Sequence, residues 1–86
     1  MTITAEQARE MVGTAVRRIV PDADLASLPS DADLRRSFEL DSLDFLSFVE
    51  LVSTATGVRI EEDDYAALTT MATSVRFLVD RAEGTA

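Results

Sequence analysis

At 86 residues the chain is well under one typical domain length of about 150, so residues 1–86 are read as one domain without room for a second. It contains no cysteine, histidine or lysine, and 8 arginines face 16 carboxylates for a net charge of -8. Disulfide, cysteine–zinc and iron–sulfur chemistry are thereby removed, and so is the usual general base near neutral pH, which leaves no self-sufficient hydrolase. An acidic surface repels phosphate backbones and anionic membranes, so the expected partners are basic protein surfaces rather than nucleic acid or lipid.

No apolar run approaches the 18 or so residues of a membrane span, and Met1-Thr2-Ile3-Thr4 lacks a signal-peptide pattern, so a cytoplasmic protein is expected. The first helix opens at Thr4 with Gln7 at capping-box spacing. Ala8, Met11, Val12, Ala15, Val16 and Ile19 then form one apolar stripe, and Pro21 ends the helix. Residues 21–40 read as a long polar connection rich in turn formers, pinned to the core by Leu25, Leu28, Leu34 and Phe38. The second helix is expected from Asp41-Ser42 to a Gly57 cap. Its apolar residues wrap more than one face, so it is either central or offers part of its surface to a partner. Val58-Arg59-Ile60 reads as an extended connector, and Glu61 to Asp64 as the acidic start of a short third helix around Tyr65 to Leu68. Thr69 or Thr70 caps the last helix, with Met71, Val75, Leu78, Val79 and Ala82 inward and a loose tail over about 83–86. The sum is an all-α bundle of three main helices plus a short one, with one long loop.

The informative stretch is Leu40-Asp41-Ser42-Leu43-Asp44. Read plainly, Asp41 or Ser42 is a helix cap. Read for chemistry, a serine on the first helical turn points its hydroxyl outward into the positive end of the helix dipole, where a phosphate on that hydroxyl is stabilised. Asp41 is placed to help hold Mg²⁺ while another enzyme transfers a phosphoryl-linked group.

From about residue 4 to 82 the sequence resembles the acyl carrier proteins. The resemblance rests on length, acidity, the helical segments and the long first loop. More specifically, it rests on Asp41-Ser42-Leu43-Asp44 followed by Phe45 to Val52, on Gly57-Val58-Arg59-Ile60, on the acidic turn before Tyr65 and on Leu68-Thr69-Thr70. It implies an acyl-carrier-like four-helix bundle with no catalytic residues and no metal of its own. By resemblance, Ser42 carries 4'-phosphopantetheine, installed from coenzyme A by a phosphopantetheinyl transferase, with Asp41 assisting. The arm's thiol holds acyl groups as thioesters for fatty-acid, polyketide or related synthesis. Leu43, Asp44, Leu46 and Glu50 would face partners, with Asp44 and Glu50 as exposed acids. Those partners are an acyl-loading ligase or transferase and synthase enzymes with basic surfaces, visited by a monomer.

The chain departs from the family where Arg35, Arg36 and Ser37 replace the usual acidity and Glu39 stands where a glycine is common. Ser47, Ser53 and Thr54 occupy positions on the second helix where carboxylates are frequent. These differences favour a dedicated pathway over the housekeeping fatty-acid synthase; an amino-acyl cargo stays open. Phe38, Phe45, Phe48 and Phe77 are assigned to the core, with a cavity for an acyl chain as the alternative for some. Arg35-Arg36 is either an exposed loop pair or a selectivity feature for partners. Glu61 to Asp64 lacks EF-hand spacing and reads as a solvated helix start. The rival from another class is a small acidic helical adaptor in which Ser42 is never modified.

Overall fold

Helix starts follow from side chains that satisfy the amide donors of each first turn. In the computed structural model, which describes residues 2–84, α1 (Ala5–Ile19) opens with the expected reciprocal pair. The Gln7 amide donates to Thr4 Oγ1 at 3.1 Å, and the Thr4 amide donates to Gln7 Oε1 at 3.0 Å. Asp33 caps α2 (Leu34–Ser37), accepting from the Arg36 amide at 3.1 Å. Asp41 caps α3 (Ser42–Thr56), accepting from the Asp44 amide at 2.8 Å. A 3-10 helix (Glu62–Leu68) follows, and then α4 (Met71–Gly84). Of the two candidate caps for α4, Thr70 receives the Thr73 amide at 3.1 Å.

Packing follows the apolar stripes. α1 lies against both α3 and α4, and α4 closes against the 3-10 helix. Val12 and Val16 of α1, Phe48 and Val52 of α3, Leu68, and Leu78 of α4 are fully buried together. α3 ends at Gly57, whose φ of 73° is the left-handed conformation that favours glycine. Beyond it, Ser53 Oγ donates to the Val58 carbonyl at 2.8 Å, so Ser53 stands in a structural bond where a carboxylate was expected from the family.

Four details differ from the sequence reading. The connection over 21–40 contains α2, whose Leu34 is fully buried and whose Leu34 amide donates to the Thr69 carbonyl at 2.8 Å. The cause is tertiary, since one turn of helix has almost no stability of its own. The third short helix has Glu62 to Asp64 in its first turn, within the expected acidic start, but winds as a 3-10 helix. Its first turn is held by Asp64, which accepts from the Glu61 amide at 3.0 Å and pairs with Arg81 at 3.1 Å. The third detail is at the tail: α4 runs through Glu83 to Gly84, while residues 85–86 lie outside the described residues. Finally, Phe77 is only half-buried, with the Arg81 guanidinium 4.7 Å from its ring centre.

The connection is sewn down rather than draped. Asp33 bridges to Thr70, and the Ala72 amide donates to the Ser30 carbonyl at 3.0 Å. Leu25 presses on α1 at Gly13, where an added Cβ would sit 3.1 Å from Leu25 Cδ1. These ties fix the approach of the chain to the start of α3. Among the described residues the architecture is all-α, the expected bundle with α2 added.

Candidate functional site

Because Asp41 caps α3, Ser42 is left with a different role. It is the first residue of the helix, it is exposed, and no hydrogen bond among the described residues engages its hydroxyl. It sits between two anchors. On one side Leu40 is buried, and its amide donates to the Arg35 carbonyl at 2.8 Å. On the other, Phe45 is buried and its amide donates to the Asp41 carbonyl at 2.9 Å. The hydroxyl is therefore carried on backbone anchored on both sides.

Beside Ser42 opens a cleft of about 380 Å³, lined by Arg35, Ser42, Phe45, Leu46, Tyr65, Ala66 and Thr69. Phe45 is its floor. The Phe45 ring meets Tyr65 edge-on at 5.7 Å and tilts against Phe48 at 6.0 Å, the offset arrangements that aromatic quadrupoles favour. Over the same ring lies the Arg35 guanidinium, 5.1 Å from the centroid. The 3-10 helix thus supplies one wall, α2 the cation and α3 the hydroxyl.

The other expected partner residues fall on α3 as follows. Leu43 is 75% exposed and Leu46 47%, the two large apolar side chains left to solvent among the described residues. Glu50 is exposed, and with Leu43 and Leu46 it follows the three- and four-residue spacing of one helix face. Asp44 is half-buried, in contrast to the exposed acid of the sequence reading, because it sits in the first turn against the Asp41 cap. A second groove, of about 400 Å³, runs between α1 and α3 past Met11, Leu51 and Ala55. Leu51 lies about 14 Å along the helix from Ser42 at 1.5 Å per residue, so this groove is remote from the hydroxyl.

Sequence reasoning missed two members of the site. Arg35 was left between two readings, and Tyr65 served only to mark a helix. Both enter the cleft through contacts between separate elements, which no local spacing encodes. Chemically, the arrangement offers an exposed alcohol at a helix start, an adjacent cation and an apolar trough.

A comparison with family models finds the phosphopantetheine attachment site family over residues 5–78, from the start of α1 well into α4 and with Ser42 inside the match. No match was found among curated proteins, and none among solved structures. With most of the chain matched and the helical bundle in place, the chain belongs to the phosphopantetheine attachment family, the domains to which 4'-phosphopantetheine is covalently bound.

Proposed function

We propose that this chain is an acyl carrier, a single domain over 1–86, and that Ser42 Oγ is the atom to which the arm is joined. The observation that carries the reading is the division of labour at the start of α3: Asp41 takes the capping bond, and the Ser42 hydroxyl is left exposed and unbonded. The residues fit such a group. An exposed alcohol accepts the phosphoryl linkage, and the adjoining cleft has Phe45, Leu46, Tyr65 and Ala66 as apolar walls. When bound, the group supplies a long flexible chain ending in a thiol, on which an acyl group is held as a thioester.

The protein's own part is to present, orient and be recognised. Asp41 fixes the helix start under Ser42 and brings a carboxylate beside it, where it assists the transferase's Mg²⁺. Leu43 and Leu46 give a partner contact area, while Asp44 and Glu50 steer basic enzyme surfaces and set register. With no cysteine, histidine or lysine, the chain assembles no nucleophile–base pair of its own, so chemistry belongs to the partners. Those are a phosphopantetheinyl transferase, an acyl-loading ligase or transferase, and synthase enzymes of one dedicated pathway.

The test is direct. Incubated with coenzyme A, Mg²⁺ and a broad-specificity phosphopantetheinyl transferase, the wild type gains the mass of one phosphopantetheine and Ser42→Ala gains none. An unmodified wild type with several transferases defeats the reading, and a modified Ala variant moves the site elsewhere.

A further inference from the structure

The site contains one charge that attachment does not explain. Among the described residues, ion pairs join Arg59 to Glu61 and Arg81 to Asp64, and none engages Arg35. In a chain with 16 carboxylates and 8 arginines, this guanidinium lies beside Ser42 with no carboxylate partner. Nor is it adrift. The backbone of Arg35 is fixed by the buried Leu34 before it and by the Leu40 amide on its carbonyl, and its guanidinium carbon lies over the Phe45 ring, 5.1 Å from the centroid. Phe45 and Ser42 are three residues apart on α3, so their side chains are neighbours on one face, about 5–6 Å apart at Cβ. Arg35 and Ser42 line the same cleft.

The local charge balance asks for a cation. Ser42 lies between Asp41 and Asp44, so a phosphodiester on its hydroxyl is a third anion within four residues. Like charges this close repel one another even in bulk water, and more strongly at a protein surface. No hydrogen bond among the described residues occupies the guanidinium N–H donors of Arg35, and the planar fork they form matches two phosphate oxygens at once.

We propose that Arg35 is the phosphate-binding residue of this carrier: its guanidinium, held over the Phe45 ring, pairs with the non-bridging oxygens of the phosphodiester at Ser42 and fixes the base of the arm along the Tyr65 side of the cleft. Arg35 is a positioning residue, and the proposal rests on the attachment reading of Ser42. It also accounts for an arginine where the resembled family is commonly acidic: the base of the arm is held by the carrier itself.

The test uses the whole chain, ¹⁵N-labelled, before and after loading from coenzyme A by a transferase, with intact mass recording attachment. The Arg35 Nε–Hε resonance is expected to shift on attachment, while that of Arg59, paired with Glu61 at 2.7 Å and exposed, stays in place. The phosphodiester ³¹P resonance of the loaded protein is expected to differ between wild type and Arg35→Gln, with Arg35→Lys restoring charge without the fork. A merely structural contact with Phe45 leaves Arg35 alike in the unloaded and loaded protein. Full attachment with an unmoved Arg35 resonance, and with the same ³¹P position in wild type and Arg35→Gln, overturns the inference while the carrier reading stands. Absence of attachment at Ser42 overturns both.

Discussion

Glu39 is the residue at which backbone and side chain disagree. Its φ of 54° lies in the left-handed region, the one such non-glycine among the described residues. An L-residue there costs about 1–2 kcal/mol, part of which glycine avoids and part of which glycine loses to its greater unfolded freedom. Glu39→Gly is therefore expected to stabilise the fold by about 0.5–1 kcal/mol, read as a melting temperature higher by a few degrees. A lower melting temperature would show that the glutamate side chain contributes more than its backbone costs. Ser74 is a second misfit: fully buried in α4, its hydroxyl has no hydrogen-bond partner among the described residues. Ser74→Ala removes an unsatisfied polar group and is expected to add about 1 kcal/mol in thermal or denaturant unfolding. The sequence marked Glu39 as standing where a glycine is common, but its conformation is set by the turn between Phe38 and Leu40. Ser74 gave no sign at all, because a serine on a helix is buried or exposed according to what packs over it.

Helix α3 serves two purposes with opposite faces. Phe45, Phe48, Val49 and Val52 face the core, and Leu43, Leu46 and Glu50 face out. Phe48 is fully buried, so Phe48→Ala is expected to cost about 3–5 kcal/mol, a large share of the 5–15 kcal/mol of an ordinary domain. A melting temperature lowered by only a degree or two would contradict that packing. The 3-10 helix is expected to respond to pH through Asp64. The Glu61 amide and then Arg81 hold the Asp64 carboxyl below its ordinary 3.8. The stability this contributes is present above that pH and is lost as pH falls through the lower folded value. Asp64→Asn should therefore melt less stably near neutrality and show a shallower loss as pH falls below 3.8. Equal acid profiles for the two proteins would count against the pairing. The three long helices were legible because capping residues and apolar periodicity are local: Thr4 with Gln7, Asp41 before Ser42, Gly57 after Thr56. Helix α2 was not, since it forms around Leu34 only when Thr69 and Thr70 are brought beside it.

At the scale of the molecule, a net charge of -8 surrounds a small apolar strip at Leu43 and Leu46. Such a distribution draws basic partners at long range and gives them contact area on arrival. Asp44→Arg together with Glu50→Arg is expected to lower the rate of modification and acyl loading while helicity persists. The wild-type rate should itself fall as salt rises, because screening shortens the reach of the field to about 10 Å at 0.1 M. Salt-independent rates, unchanged in the double variant, would place recognition elsewhere. Fold class was readable from composition, caps and periodicity, and the helix start that exposes Ser42 from Asp41-Ser42-Leu43-Asp44. The cleft beside it was not, because Arg35, Phe45 and Tyr65 meet only after three separate elements have packed.

The central claim is that Ser42 carries a phosphopantetheine arm and that the arm carries an acyl group. Intact mass of the protein isolated from its native cells, followed by mapping of the modified peptide, tests both parts at once. The account predicts one phosphopantetheine on the peptide containing Ser42, with further mass that hydroxylamine releases as a thioester. A bare chain throughout, with Ser42 unmodified in cells that make a transferase, contradicts the account and identifies an acidic helical adaptor instead.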